Sequence, residues 1–208
     1  MLFQLDFNEI IIRVIAFLIA IAVHEGAHAY TAHWLGDPTP EREGRLTLNP
    51  LKHVDPIGFL MILFGPFGWA RPVTTNPAMY KGSRRIGILL VAAMGPIANF
   101  LLAAVVALLY KSLSGMMFTN AHTAAILSSL FTTMIMINVA LFVFNLLPLY
   151  PLDGEKILRS LVPLRHLGFF YKMETYGPFI LLLIVFIPVL GRTILWPPIL
   201  GLMRLFLF

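Results

Sequence analysis

His24, Glu25 and His28, inside the run FLIAIAVHEGAHAYTAHWL (residues 17–35), are the residues whose types and spacing can do chemistry. On a helix, positions i and i+4 lie about 40° apart, so the two imidazoles project side by side. Such a pair is half of a zinc site. The acid after the first histidine points to the adjoining face, where it can reach a water at the metal. HExxH alone is a weak signal, because it also arises by chance in soluble proteins. Here it lies in a stretch that is apolar from Ile10 to Leu35. Polar groups in such a stretch need partners that lipid does not supply, and by default they mark function.

A tetrahedral zinc needs one more protein ligand and a water. A third histidine in the metzincin manner fails: positions 31 and 34 are Thr31 and Trp34, and His33 lies about 140° around the helix from His28. Glu41, Glu43 and Asp55 fall in a polar loop and read more simply as solvated charges. Asp153 is the better candidate, because it ends an apolar span among Pro148, Pro151 and Gly154. Its other use would be as the N-cap of the following helix.

The elements that must position these groups follow from composition. Of 208 residues, 59% are hydrophobic and only 12% charged, which points to an all-α polytopic membrane protein rather than a soluble domain. We expect one integral-membrane domain over residues 1–208, with a core at 10–172 and a C-terminal membrane segment at 176–208. The formal charge of +5 resides in loops between apolar spans, so it reports membrane orientation and not nucleic-acid binding. With no cysteine, disulfides and thiolate-bound zinc are excluded, and any zinc is held by His, Asp or Glu.

Along the chain, the first span covers about 10–35 and is too long for a signal-peptide core, so it reads as retained. The stretch 58–70 is too short to cross and is broken at Gly65-Pro66 and Gly68. It reads as a re-entrant segment or a hairpin of short strands, whose edge between residues 58 and 73 could pair with an extended substrate. A second span covers 86–110 with Gly95-Pro96 and Asn99, and a third covers 121–147. Residues 155–174 read as an amphipathic surface helix broken at Pro163. From Tyr176 the chain is apolar again and forms one or two further segments. Lys and Arg at 42, 45, 52, 71, 81, 84 and 85, then at 156, 159, 165 and 172, are expected on one side of the bilayer, with Lys111 opposite and Arg13 near the start of the first span. The heavy side is expected to be cytoplasmic, with the N-terminus outside and the site toward the cytoplasm.

HEGAH at 24–28, GPIAN at 95–99 and NLLPLYPLDG at 145–154, in this order on three successive spans, resemble the site-2 protease family of intramembrane zinc metalloproteases. NPLKHVDPIG (49–58) and FGWARPV (67–73) resemble its small prokaryotic branch, and no PDZ or CBS module accompanies them. The resemblance implies one zinc per chain on His24, His28 and Asp153, with Glu25 as general base. It also implies a lipid bilayer and a substrate with a transmembrane segment. Asn99 is expected either to donate to a substrate carbonyl or oxyanion, or to make an interhelical hydrogen bond. Asn145 could bind substrate or orient the Asp153 loop, and His53 could contact substrate or stand in solvent. The competing readings are a membrane metal-binding or transport protein and an inactive scaffold of the same fold. The first has no need of an acid beside His24, and the second has no need of all four groups.

Overall fold

The computed structural model describes residues 7–64, 68–114 and 120–208. The described residues form helices α1 (Phe7–Trp34), α2 (Thr39–Arg42), α3 (Pro56–Phe64), α4 (Arg84–Ser114), α5 (Ala121–Asn145), α6 (Asp153–Leu161), α7 (Leu167–Phe186), α8 (Pro188–Ile194) and α9 (Trp196–Leu207). Helices α1, α4, α5 and α7 are each long and apolar enough to cross a membrane. Helices α8 and α9, bent by 47° at their break, make a fifth crossing if taken as one span. The chain is a multi-pass helical membrane protein.

Small residues bring the central helices together. Ala16, Ala20, Ala29 and Ala32 of α1 are fully buried, while Ile11, Ile15 and Ile19, at four-residue spacing near its start, remain exposed. Small side chains let helix backbones approach where lipid supplies no hydrophobic drive for association. Helix α1 packs on both α4 and α5, which also pack on each other, and α9 closes against α5 and α4. The main apolar cluster joins Ala103 and Val106 of α4, Ile135 and Val139 of α5, and Ile199 and Phe206 of α9.

Two expectations need correcting. The short segment after α1 is helical, and among the described residues the hairpin is reduced to one isolated bridge between Val54 and Ala70. Asp55 explains this, since its Oδ1 accepts from Ile57 N–H at 3.0 Å and Gly58 N–H at 2.8 Å. With Pro56 as the first helical residue, the Asp-Pro pair is a helix start rather than a turn. The proposed break at Gly65-Pro66 lies outside the described residues. The second correction concerns residues 155–174: the expected break at Pro163 is present, but the part beyond it is not a separate surface helix. Helix α6 stops at Leu161, and α7 then runs unbroken from Leu167 into the apolar segment. Lys172 and Glu174 are carried on its first turns.

Candidate functional site

The structure brings His24 and His28 of α1 against Asp153 at the start of α6. Asp153 Oδ2 lies 3.2 Å from His24 Nε2 and 3.1 Å from His28 Nε2, and the two nitrogens are 3.1 Å apart. All three residues are buried. Their outer atoms settle which ring nitrogens carry protons. His28 Nδ1 faces the Val91 carbonyl at 2.7 Å, which can only accept, so Nδ1 is the donor. His24 Nδ1 lies 2.6 Å from Asn99 Oδ1. That amide is oriented by its other end, where Nδ2 donates to Ala20 O at 3.0 Å and to Asn138 Oδ1 at 2.8 Å. Both Nε2 atoms therefore present lone pairs to a carboxylate oxygen, leaving three acceptors with no proton among them. A cation resolves that clash. Ligand atoms at 2.0–2.1 Å from a tetrahedral metal stand about 3.3–3.4 Å apart, close to the observed triangle. The residues present fit a metal ion, and each histidine has the outer hydrogen bond such ligands use.

Backbone proximity makes this meeting possible. A methyl group at Gly95 of α4 would stand 2.5 Å from His28 Cε1 and 2.8 Å from His24 Cε1, so only glycine lets α4 lie on the rings. On the other side, Gly154 lets the turn at Leu146–Leu147 fold directly onto the start of α6. The far end of α6 is held by Arg85, which donates through Nε to Ser160 O at 2.6 Å and through Nη2 to Val162 O at 2.7 Å. Arg159 pairs with Glu155 within α6 at 2.9 Å and joins the helix to α7 by an ion pair with Glu174 at 2.5 Å. Its guanidinium also lies over the Phe170 ring. The N-cap of α6 is Leu152, not Asp153, so the Asp153 side chain is free to face the histidines. Burial alone would raise its pKa. Lys156, 3.2 Å from Oδ1, opposes that with a positive charge beside the carboxylate.

The triad lines a cavity of about 520 Å³ shared with Glu25, Asn145, Lys156 and the extended segment from Gly68 to Thr75. Glu25 Oε2 accepts the Val73 N–H at 2.9 Å. Arg45, itself buried, fixes that segment from behind, donating to the carbonyls of Arg71 at 3.3 Å, Pro72 at 3.2 Å and Lys52. Asn76 N–H closes the far end onto Asp37 Oδ2 at 2.5 Å.

Of the seven expected residues, five stand at or beside the cavity: His24, Glu25, His28, Asp153 and Asn145, whose amide donates to Leu141 O at 3.0 Å. Asn99 is fully buried with both amide hydrogens directed into the bundle, so it offers no donor to the cavity. His53 is corrected: it is fully buried and not among the cavity lining, with Nε2 on Thr47 O at 2.9 Å. It sits inside the loop that Arg45 organises. Burial, with a smaller push from Arg45, lowers its pKa against the pull of the Thr47 carbonyl and Glu25. Sequence reasoning missed Val91, Gly95, Asn138, Val73 and Lys156. Only Gly95 and Asn138 carried a visible signal, a glycine before a proline and an amide inside an apolar span.

The profile of peptidase family M50 matches residues 110–187. A Bacillus subtilis (strain 168) protein named "Putative zinc metalloprotease YwhC" is 42% identical over 88% of this chain and 84% of its own length. A Mycolicibacterium smegmatis protein named "Putative zinc metalloprotease Rip2" is 32% identical over 79% of this chain and 66% of its own length. No solved structure matches the chain. With a relative this similar over nearly its whole length, and with a buried His-His-Asp cluster assembled from α1 and the start of α6, the chain belongs to peptidase family M50, the family of the site-2 proteases.

Proposed function

We propose that this protein is an intramembrane zinc metalloprotease that hydrolyses peptide bonds in or near transmembrane segments of other membrane proteins. His24, His28 and Asp153 hold one zinc, and Glu25 serves as general base. The observation that carries the reading is the meeting of two imidazole lone pairs and a carboxylate oxygen within 3.2 Å of one another, on a cavity whose wall includes Glu25. Both relatives named above are described as zinc metalloproteases. A donor set of two histidines and one carboxylate, with no thiolate, suits a catalytic zinc with an open position.

When bound, zinc supplies a Lewis acid that lowers the pKa of a water to about 7 and polarises the scissile carbonyl. Glu25 takes the proton of the attacking water on its carboxylate and returns it to the leaving amine nitrogen. The Val73 N–H holds one Glu25 oxygen in place during both transfers. Asn99 and the Val91 carbonyl keep the Nδ1 protons of the two histidines on the outer side. The substrate must unwind locally, because its amides are otherwise buried in its own helical ladder. The extended segment from Gly68 to Thr75 and the Asn145 amide border the cavity where that strand would lie. The loops that carry most of the Lys and Arg adjoin the same end of α1, α4 and α5 as the site, which supports a cytoplasmic opening with the N-terminus outside.

The test is cleavage of single-span membrane proteins by the purified protein in liposomes, with product masses locating the cut. Chelation should abolish cleavage and added zinc restore it. Glu25→Gln should retain one zinc while losing cleavage by at least 100-fold. Cleavage that survives chelation, or a Glu25→Gln variant as active as the parent, overturns the reading.

A further inference from the structure

Asn138 lies in the middle of α5, fully buried, at a depth where composition favours an apolar side chain. Its Nδ2 donates to Met134 O at 2.8 Å, so its Oδ1 is left to accept, and it accepts from Asn99 Nδ2 at 2.8 Å. A carboxamide can sit in either of two flipped orientations, and only its neighbours choose between them. Asn99 has an acceptor, Ala20 O, at one side of its amide end, and Asn138 supplies the second. Both force the Asn99 NH2 inward and its oxygen onto His24 Nδ1, 2.6 Å away. In the flipped state, Asn99 would donate to His24 Nδ1. The ring proton would then move to Nε2, the atom that faces Asp153 and His28. Anchored on the backbone carbonyl of Met134, the chain of bonds runs through Asn138 and Asn99 to His24 and links α5, α4 and α1.

We propose that Asn138 is a positioning residue for the metal centre, setting the Asn99 amide so that His24 keeps the tautomer and ring plane that offer Nε2 to zinc. The inference rests on the zinc reading above. It goes beyond that reading by making a residue on a third helix, out of contact with metal and substrate, a determinant of metal affinity.

The experiment measures zinc affinity of the purified full chain in detergent by competition with a chromophoric chelator, and records the d–d spectrum after cobalt(II) loading. Asn138→Leu removes the acceptor toward Asn99 and should weaken zinc binding by about 10- to 100-fold, the range for loss of outer hydrogen bonds to ligands. Its cobalt spectrum should also shift. Asn138→Asp, protonated at this depth, keeps both an acceptor toward Asn99 and a donor toward Met134, and should stay within threefold of the parent. Ser128→Ala removes a different α4–α5 bond, that to Tyr110 at 2.9 Å, and should leave affinity and spectrum unchanged. If Asn138→Leu does not fold, Asn138→Val is judged by the same criterion. Parent-like affinity in the apolar variant, or an equal loss in Ser128→Ala, overturns the inference while leaving the protease reading intact. Absence of zinc binding by the parent overturns both.

Discussion

Replacing Gly95 with alanine puts one methyl group between α4 and the two imidazoles. The new carbon would stand 2.5 Å from His28 Cε1, about 0.9 Å short of the 3.4 Å at which ordinary contact begins, and 2.8 Å from His24 Cε1. The clash is with ring atoms and not with the far end of a flexible chain. Either the rings swing away or α4 retreats from α1. Retreat would stretch the His28–Val91 bond of 2.7 Å and the Asn99–Ala20 bond of 3.0 Å, so both routes disturb the same residues. Metal–ligand distances tolerate only about 0.2 Å, several times less than the displacement required. Zinc affinity should therefore fall by more than 100-fold, beyond the range seen when only an outer hydrogen bond is lost, and cleavage should fall with it. The assay is zinc stoichiometry under chelator competition, with thermal unfolding in detergent to show that the bundle persists. Gly168→Ala, where an added methyl meets nothing within 4 Å, is the control. A Gly95→Ala protein that holds one zinc with parental affinity would refute the close approach of α4 to the rings.

Two other outcomes follow from the loop that flanks the site. Val73→Pro deletes the N–H bonded to Glu25 in an already extended segment. The loss of a charge-assisted hydrogen bond, about 1.5–3 kcal/mol, should lower kcat roughly 10- to 100-fold with zinc content unchanged, and an unchanged kcat would dismiss this anchor. His53 has its pKa lowered in the fold from 6.5, so below about pH 6.5 the unfolded chain takes up a proton that the folded chain refuses, and stability drops as pH falls. His53→Gln should flatten that part of the Tm-against-pH curve measured in detergent, and an identical slope in both proteins would show that His53 is not the group concerned.

The histidine pair was legible in the sequence because its geometry is local. Residues four apart on a helix must share a face, and the Asp153 motif announced itself by its prolines and its place after a span. The use of Asn99 was not legible, since a polar residue in an apolar span signals only that a partner exists. Whether that partner is substrate or another helix depends on packing among three helices. His53 was misjudged because loop histidines are usually wet, whereas Arg45 turns this loop inward and seals it with carbonyl contacts. Asp55-Pro56 looked like a turn because the apolar run behind it was too short to suggest a helix crossing the membrane. Lys172 and Glu174 argued for a surface segment, yet Glu174 is matched to Arg159 at the helix entrance, so α7 can begin before the charges end.

The carboxylate that completes the cluster lies 129 and 125 residues beyond the two imidazoles it meets. During synthesis, the histidines enter the bilayer with the first crossing, while Asp153 does not yet exist. It leaves the ribosome only after two more crossings and the turn onto α6 have been made. A nascent chain thus carries the two imidazoles before the carboxylate they meet exists, and the cluster can close only once the later helices are in place.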